Sequence, residues 1–194
     1  MISTTEFTWR VFCAIEIPEE VRQRISQHAQ QLHDLLPEVQ ASWTKPDNIH
    51  LTLKFFGNIT QQQVLKASKA AARAVEGFGP FDIKVEGAGS FPPRGPAKVL
   101  WIGINDPTGN LIQLQQKLEN ECEREGFPKE DRPFHPHLTV ARLRSSRGAR
   151  TLADKHKEPG LKSAEIKVSS LIVFRSELSS KGSKYTRIST HRSD

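Results

Sequence analysis

The sequence predicts an α+β fold, in which strands and helices intermix without the regular alternation of a doubly wound sheet. Apolar runs rich in Val, Ile and Phe are bounded by Pro or Gly, which is typical of strands. Other segments carry apolar residues at i, i+3 and i+4, which indicates amphipathic helices. At 194 residues, the chain is long enough for one sizeable core, so we expect a single domain over residues 1–194.

The predicted elements follow one another along the whole chain. Strands are expected at 10–17, 49–56 (closed by Gly57), 81–85, 99–104, 137–143, 166–175 and 185–191, the last two as an antiparallel pair. Helices are expected at 19–36, 60–75 and 107–125, the second capped by Thr60. Residues 90–98 hold three prolines and a glycine and predict a loop. Residues 145–160 are polar and basic and predict a loop with a short helix.

Charge and cysteine usage limit the classes of partner and compartment. The 28 basic and 22 acidic residues leave a net charge of +6, which suits an anionic partner such as RNA without proving one. Cys13 and Cys122 lie far apart in sequence, and two cysteines without a short spacing argue against a disulfide framework or a zinc site. We therefore expect a reducing, cytoplasmic compartment. The first ten residues are polar and lack a signal peptide's apolar stretch, and no apolar run approaches bilayer length, so no membrane association is expected.

One tetrapeptide pattern occurs twice, once in each half of the chain. Residues 50–53 are His-Leu-Thr-Leu and residues 137–140 are His-Leu-Thr-Val. Side chains alternate between the two faces of a strand, so histidine and threonine share one face while the apolar residues point into a core. Two such strands side by side would build a site with two imidazoles and two hydroxyls.

This constellation suits in-line attack on a phosphodiester. One imidazole takes a proton from the nucleophile, the other gives a proton to the leaving oxygen, and the hydroxyls donate hydrogen bonds to the non-bridging oxygens. Histidine serves both proton transfers because its unperturbed pKa, about 6.5, lies near working pH. A single His-x-Thr in a strand is usually structural, whereas two copies in strong strand patterns favour catalysis.

The chain resembles the two-histidine (2H) phosphoesterase superfamily, and most closely its RNA 2',3'-cyclic phosphodiesterase branch, formerly called 2'-5' RNA ligases. The resemblance covers roughly residues 10–175 and rests on four segments in the family's order: RVFCAI at 10–15, NIHLTLKFFG at 48–57, VLW at 99–101 and RPFHPHLTVAR at 132–142. It implies two pseudo-symmetric lobes whose antiparallel sheets face a central cleft, with helices on the outside.

The resemblance also implies roles for particular residues. His50 matches the family's proton donor and His137 its proton acceptor. Thr52 and Thr139 match the threonines that hold the phosphate. Arg142 matches an arginine placed on the phosphate, although strand alternation would turn it away from His137 unless a bulge intervenes.

Other candidates have a structural alternative of equal or greater weight. Phe12, Phe56 and Phe134 are candidates to stack on a base, although each of these residues is more often part of a core. Lys54 shares the predicted face of His50 and could reach phosphate or remain solvated, and His135 is expected at a strand edge. Trp101 is expected in the core, and Arg94 and Lys98 lie in a loop where they serve RNA binding or solubility. No metal-ligand spacing and no phosphate-binding glycine loop is present, so neither metal nor cofactor is expected.

The predicted function is metal-independent hydrolysis of RNA 2',3'-cyclic phosphate ends to 2'-phosphomonoesters by two-histidine acid–base catalysis, with 2'-5' ligation as the reverse reaction. The expected partners are RNA ends with a 2',3'-cyclic phosphate, including tRNA-like fragments, and the protein is expected to be a monomer. Two alternatives stay open at this stage. One is a cyclic phosphodiesterase for a small nucleotide, and the other is a non-catalytic module that binds RNA ends.

Overall fold

The computed structural model describes residues 7–158, 162–180 and 182–193. Their fold is α+β, as predicted. The helices are α1 (Glu19–Leu35), α2 (Gln61–Val75), α3 (Asn110–Arg124) and α4 (Ala149–Lys157), with a 3-10 turn at Pro46–Asn48. The strands are β1 (Thr8–Glu16), β2 (Ala41–Trp43), β3 (His50–Thr60), β4 (Phe81–Phe91), β5 (Val99–Asn105), β6 (His137–Leu143), β7 (Ala164–Val168), β8 (Ser170–Ser179) and β9 (Gly182–Arg192).

The strands form two antiparallel sheets that repeat one another's order. The first sheet runs β3-β1-β8-β9, and the second runs β2-β6-β5-β4-β7. Apart from the short edge strand β2, each sheet therefore begins with a motif strand, β3 or β6, followed by the strand that pairs with it, β1 or β5. The two motif strands approach each other where the sheets meet. This arrangement confirms the predicted pair of pseudo-symmetric lobes.

The helices cover the outer faces of the sheets and tie the two halves together. Helix α2 packs on β1, β3, β8 and β9, and α3 from the second half packs on α2 and β3. Conversely, α1 from the first half contacts α4 and β6 of the second sheet. Alternate apolar residues of the strands, including Leu51 and Leu138 at 0% exposure, are buried beneath these helices. Burial of that apolar surface is the main stabilising term of such a fold.

Two predicted strands are longer than expected because glycine permits a local irregularity. Strand β3 does not close at Gly57 but continues to Thr60, since Gly57 adopts φ 75° within the strand. Strand β4 continues from Val85 to Phe91 past Gly87 at φ 76°, so Ser90 belongs to a strand rather than to the predicted loop. Register shifts at both places show that the extra residues are accommodated as bulges.

Other boundaries also differ from the prediction. The predicted strand 166–175 is two strands separated at Ser169: β7 pairs with β4 in the second sheet, and β8 pairs with β9 in the first. Only the β8–β9 part of the predicted closing pair is therefore confirmed. Strand β2 was missed because three residues give too short a pattern, and α3 begins at Asn110 rather than at 107. The short helix predicted within 145–160 is α4, and the end of that range, 159–160, lies outside the described residues.

Among the described residues, no helix is long and apolar enough to cross a membrane.

Candidate active site

A cleft of about 640 Å³ lies between the two sheets and contains both repeated motifs. The first sheet lines it with Arg10, Phe12, His50, Thr52, Phe55, Ser176, Leu178, Ser183 and Tyr185. The second sheet adds His137, Thr139 and Arg142, and the segment between α1 and β3 adds Thr44 and Asn48. The two histidines, the two threonines and Arg142, singled out in the sequence, thus meet in one place. Their catalytic and phosphate-binding roles stay predictions.

Each motif histidine is held by the same backbone hydrogen bond. His50 Nδ1 lies 2.7 Å from the carbonyl oxygen of Asn48, and His137 Nδ1 lies 2.7 Å from the carbonyl oxygen of His135. A carbonyl oxygen only accepts, so Nδ1 carries the proton and donates it in both cases. Nε2 is therefore the atom left for proton exchange. It is a base in the neutral ring and an acid in the imidazolium.

A bulge follows the threonine in each motif strand and decides which later residue enters the cleft. In the β1–β3 pair, Ala14 faces Thr52 and Cys13 faces Lys54, so Leu53 has no partner. In the β5–β6 pair, Val140 is skipped in the same way between Thr139 and Ala141. Each skipped residue shifts the alternation by one, because side chains on a strand repeat every second residue.

The bulges bring Arg142 into the cleft and take Lys54 out of it. Arg142 lines the cleft with Thr139, which meets the condition that the sequence set for this arginine. Lys54 is 6% exposed, and its Nζ lies 2.6 Å from Glu119 Oε2 and 2.9 Å from the carbonyl oxygen of Pro128. The expectation that Lys54 shares the face of His50 was wrong, because the bulge at Leu53 reverses its direction.

Phe12 is the only one of the predicted aromatic candidates that lines the cleft. Its ring is 3% exposed and stacks on His50, with centroids 4.7 Å apart and planes 26° apart. It therefore supports the imidazole instead of offering an open face to a base. Phe56 packs on Phe127 with ring centroids 4.8 Å apart, and Phe134 is half-buried against the core. Neither Phe56 nor Phe134 is among the residues that line the cleft, and their stacking on a base stays a prediction.

The sequence missed three residues that do shape the cleft. Phe55 is 47% exposed within it, and the guanidinium carbon of Arg10 lies 4.4 Å from its ring centroid. Tyr185 meets His50 edge-on at 5.1 Å between ring centroids. Phe55 could have been found only by anticipating the bulge, and Arg10 only by placing β1 beside β3.

Burial lowers the pKa of both imidazoles in the cleft. Burial lowers the pKa of His50 to about 4, and the hydrogen bond to Asn48 only partly opposes this shift. Burial also lowers the pKa of His137, which sits edge-on to Phe91 at 5.1 Å between ring centroids. The positive charge of Arg142 lowers the pKa of His137 further. An anion in the cleft would act in the opposite direction and raise both pKa values.

The polar groups of the cleft are suited to an anionic ligand. Arg10 and Arg142 are the charged side chains among the lining residues of the described chain, and no carboxylate is among them. Within the same residues, neither the hydroxyl of Thr52 nor that of Thr139 has a hydrogen-bond partner in the protein. Two free hydroxyls and two guanidinium groups can therefore donate to phosphate oxygens. No group of three His, Cys, Asp or Glu side chains that could hold a metal ion occurs in the described part of the chain.

The fold and the cleft together define a two-histidine phosphoesterase. The model of the LigT-like phosphoesterase family matches residues 15–101 and residues 102–185, that is, both halves. The chain therefore belongs to the LigT-like phosphoesterases.

Relatives of known name agree with this assignment. An RNA 2',3'-cyclic phosphodiesterase from Methanothermobacter thermautotrophicus is 31% identical over 184 residues, 94% of this chain and 98% of that protein. An RNA 2',3'-cyclic phosphodiesterase from Escherichia coli K12 is 33% identical over 133 residues, 69% of this chain and 71% of that protein.

Solved structures share the whole fold. The protein TT0787 of Thermus thermophilus superposes with a TM-score of 0.75 at 25% identity and covers 95% of this chain and 97% of its own. E. coli LigT complexed with 3'-AMP superposes with a TM-score of 0.74 at 25% identity and covers 95% of this chain and 98% of its own.

Proposed function

We propose that this chain hydrolyses 2',3'-cyclic phosphate ends of RNA to 2'-phosphomonoesters. The observation that carries the proposal is the pair of imidazoles in one cleft, each with Nδ1 bound to a carbonyl oxygen and Nε2 left for proton exchange. No carboxylate lines that cleft among the residues that the structure describes. The relatives named RNA 2',3'-cyclic phosphodiesterase support the choice of substrate.

The proposed reaction is an in-line displacement at phosphorus. Neutral His137 takes a proton from water as the water oxygen attacks, and charged His50 gives a proton to the departing 3'-oxygen. The bond between phosphorus and the 3'-oxygen breaks, and the phosphate remains on the 2'-oxygen. Each positioned acid or base contributes about 10²–10⁴-fold in rate. The assignment of donor and acceptor follows the family, because the two motifs are nearly symmetric.

Phosphate binding is assigned to hydroxyl and guanidinium donors. Thr52 and Thr139 donate to the non-bridging oxygens, and Arg142 neutralises charge that builds up in the transition state. No step requires a metal ion or a cofactor. If a 5'-hydroxyl of RNA takes the place of water, the same two histidines join it to the cyclic phosphate through a 2'-5' bond.

The whole chain is proposed to act as one domain and as a monomer. Both sheets and both halves of the sequence contribute to the cleft, which supports action by a single chain. A cytoplasmic location is proposed from Cys13 and Cys122, which are both buried and unpaired.

One incubation separates the proposed function from its alternatives. The protein is mixed with an RNA oligonucleotide that ends in a 2',3'-cyclic phosphate, and the product is separated against 2'- and 3'-phosphate standards. A 2'-phosphate product is expected. Binding without turnover would identify a binding module, and equal turnover of 2',3'-cyclic AMP and longer RNA would favour a small-nucleotide phosphodiesterase. A 3'-phosphate product would overturn the proposed direction of bond cleavage.

A further inference from the structure

A second cavity, of about 560 Å³, lies beyond the end of the second sheet. It is bounded by the loop that joins β4 to β5 and by helix α4. Three exposed cations line it, Arg94 from the loop and Arg150 and Lys157 from the helix. Asp154 is the acidic side chain in the lining. The cavity therefore combines an excess of positive charge with room for a polar ligand.

This cavity extends to the end of β6. A smaller pocket of about 170 Å³, lined by Lys98 and Arg144, shares Pro96, Ala97 and Ser146 with the larger cavity. The backbone N–H of Leu143 donates to the carbonyl oxygen of Lys98 at 2.9 Å, which holds the loop against the strand. Leu143 directly follows Arg142, which lines the cleft.

We call Arg94, Lys98, Arg144, Arg150 and Lys157 the basic track. In the described part of the chain, none of these five side chains forms an ion pair. Arg144 donates to Ser42 Oγ at 2.9 Å, which orients its guanidinium group without neutralising it. Arg73, by contrast, is neutralised by Glu121 and Glu125. Unneutralised charge along one surface attracts polyanions.

On the opposite rim of the cleft, part of the positive charge is neutralised. Beside Arg10, the guanidinium of Arg175 is paired with Glu177 at 2.9 Å, and Arg187 is paired with Glu16 at 2.5 Å. A cyclic phosphate closes the 3' end of an RNA, so the remaining chain leaves the terminal nucleotide through its 5'-oxygen. Charge complementarity therefore favours a path in which the RNA chain leaves the cleft on the side of Arg142.

We propose that the single-stranded RNA on the 5' side of the cyclic end binds the basic track. The inference rests on the proposed function, because it takes the cyclic phosphate to lie in the cleft. Phosphate contacts of this kind position a strand without reading its bases. The track would thus favour RNA ends over mononucleotides, whatever their sequence.

The test removes three track charges and compares two substrates. The variant Arg94→Gln/Arg150→Gln/Lys157→Gln is assayed on an unstructured RNA of about ten nucleotides with a cyclic phosphate end, within the usual reach of single-strand sites, and on 2',3'-cyclic AMP. The matched control, Lys66→Gln/Lys69→Gln/Arg124→Gln, loses the same charge from the exposed α2–α3 surface. At low salt, kcat/KM for the oligonucleotide should fall about tenfold in the track variant and stay unchanged in the control. For 2',3'-cyclic AMP, kcat/KM should be the same in both variants and in the wild type. The slope of log Kd against log salt concentration should be smaller by about 2 in the track variant. Each phosphate contact to a single strand contributes roughly 0.7 to this slope, and three contacts are removed.

The outcomes distinguish this inference from the function on which it rests. Binding of the same RNA with a 3'-phosphate end, measured by fluorescence anisotropy, reports on the track even if no substrate is turned over. Equal oligonucleotide binding and equal salt slopes in the wild type and the track variant would show that RNA does not bind the basic track. A similar loss on both substrates would also overturn the inference, because the substitutions would then act on the cleft. Failure of the wild type to hydrolyse either substrate would instead overturn the proposed function.

Discussion

Phe55 and Arg142 occupy equivalent places in the two halves of the protein. Each stands five residues after its motif histidine, and each enters the cleft because the bulge at Leu53 or Val140 shifts the strand by one residue. One half thus presents an aromatic ring where the other presents a cation. The cleft is nearly symmetric in its imidazoles and hydroxyls but asymmetric in the groups that would hold a nucleotide.

Arg142→Gln should weaken catalysis and change its pH dependence together. Loss of a hydrogen bond to a charged group costs about 1.5–3 kcal/mol, so kcat/KM should fall roughly 10–150-fold. The charge of Arg142 lowers the pKa of His137, so its removal should shift the pH profile of kcat/KM to higher pH. Arg124→Gln, on the exposed α3 surface, serves as the control. A normal rate with an unshifted profile would mean that Arg142 does not face the phosphate.

The limits of sequence reasoning are visible at this same pair of residues. Period-two alternation correctly placed each histidine with its threonine on one face and Leu51 and Leu138 in the core. Alternation also predicted that Lys54 would face the cleft, whereas the bulge buries Lys54 and exposes Phe55 instead. A bulge adds one residue to a strand and leaves no mark in the apolar pattern. The sequence Leu53-Lys54 reads as regular alternation of apolar and polar residues whether or not a bulge is present. The positions of the motifs were therefore predictable, but the residues that follow them were not.

Thr52→Val and Thr139→Val should each slow the reaction without unfolding the protein. Valine nearly matches threonine in shape but lacks the hydroxyl, and neither hydroxyl bonds another group in the described chain. A lost hydrogen bond to a charged phosphate predicts a decrease of roughly 10–150-fold in kcat/KM. Thr190→Val, on the exposed face of β9, controls for the substitution itself. Unchanged kinetics in both cleft variants, with unchanged melting temperatures, would make the threonines structural.

Hydrolysis should proceed at its full rate in excess EDTA. The proposed mechanism moves protons between histidines, water and the leaving oxygen, and it uses threonine and arginine for charge stabilisation. The measurement is the initial rate before and after dialysis against the chelator. A loss of activity that a divalent ion restores would contradict the metal-free mechanism.

Both kcat/KM and kcat should show a bell-shaped dependence on pH, with the maximum at a different pH for each. The productive form has one neutral and one charged imidazole, and it is most abundant between the two pKa values. Burial lowers the pKa of His50 to about 4 and lowers that of His137 from 6.5, so kcat/KM should peak below pH 6.5. Above the peak the acid loses its proton, and below it the base gains one. In the complex the phosphate anion raises both pKa values, so kcat should peak at higher pH.

The bell is measured on 2',3'-cyclic AMP over about pH 4–9, which spans the histidine range. Its limbs belong to the coupled pair and are assigned only with single variants. A kcat/KM that rises throughout this range without turning over would contradict the need for a charged histidine.

The two histidines should be separable by the leaving group. Hydrolysis to a 2'-phosphate expels the 3'-oxygen, a poor leaving group that needs a proton. Sulfur in place of that bridging oxygen leaves as a thiolate without protonation, because thiols are far more acidic than alcohols. With His50 as the proton donor, His50→Ala should recover much of its rate on the sulfur substrate. His137→Ala should stay slow, since water still has to be activated.

This experiment also bears on the charge state of His50. Burial lowers the pKa of His50 to about 4, so His50 is neutral near pH 7 in the free protein. The family's assignment of His50 as donor therefore requires the bound phosphate to raise that pKa. Rescue of His137→Ala instead of His50→Ala would reverse the roles. Rescue of neither variant would show that the histidines act mainly by binding the phosphate, and the acid–base mechanism would then be wrong.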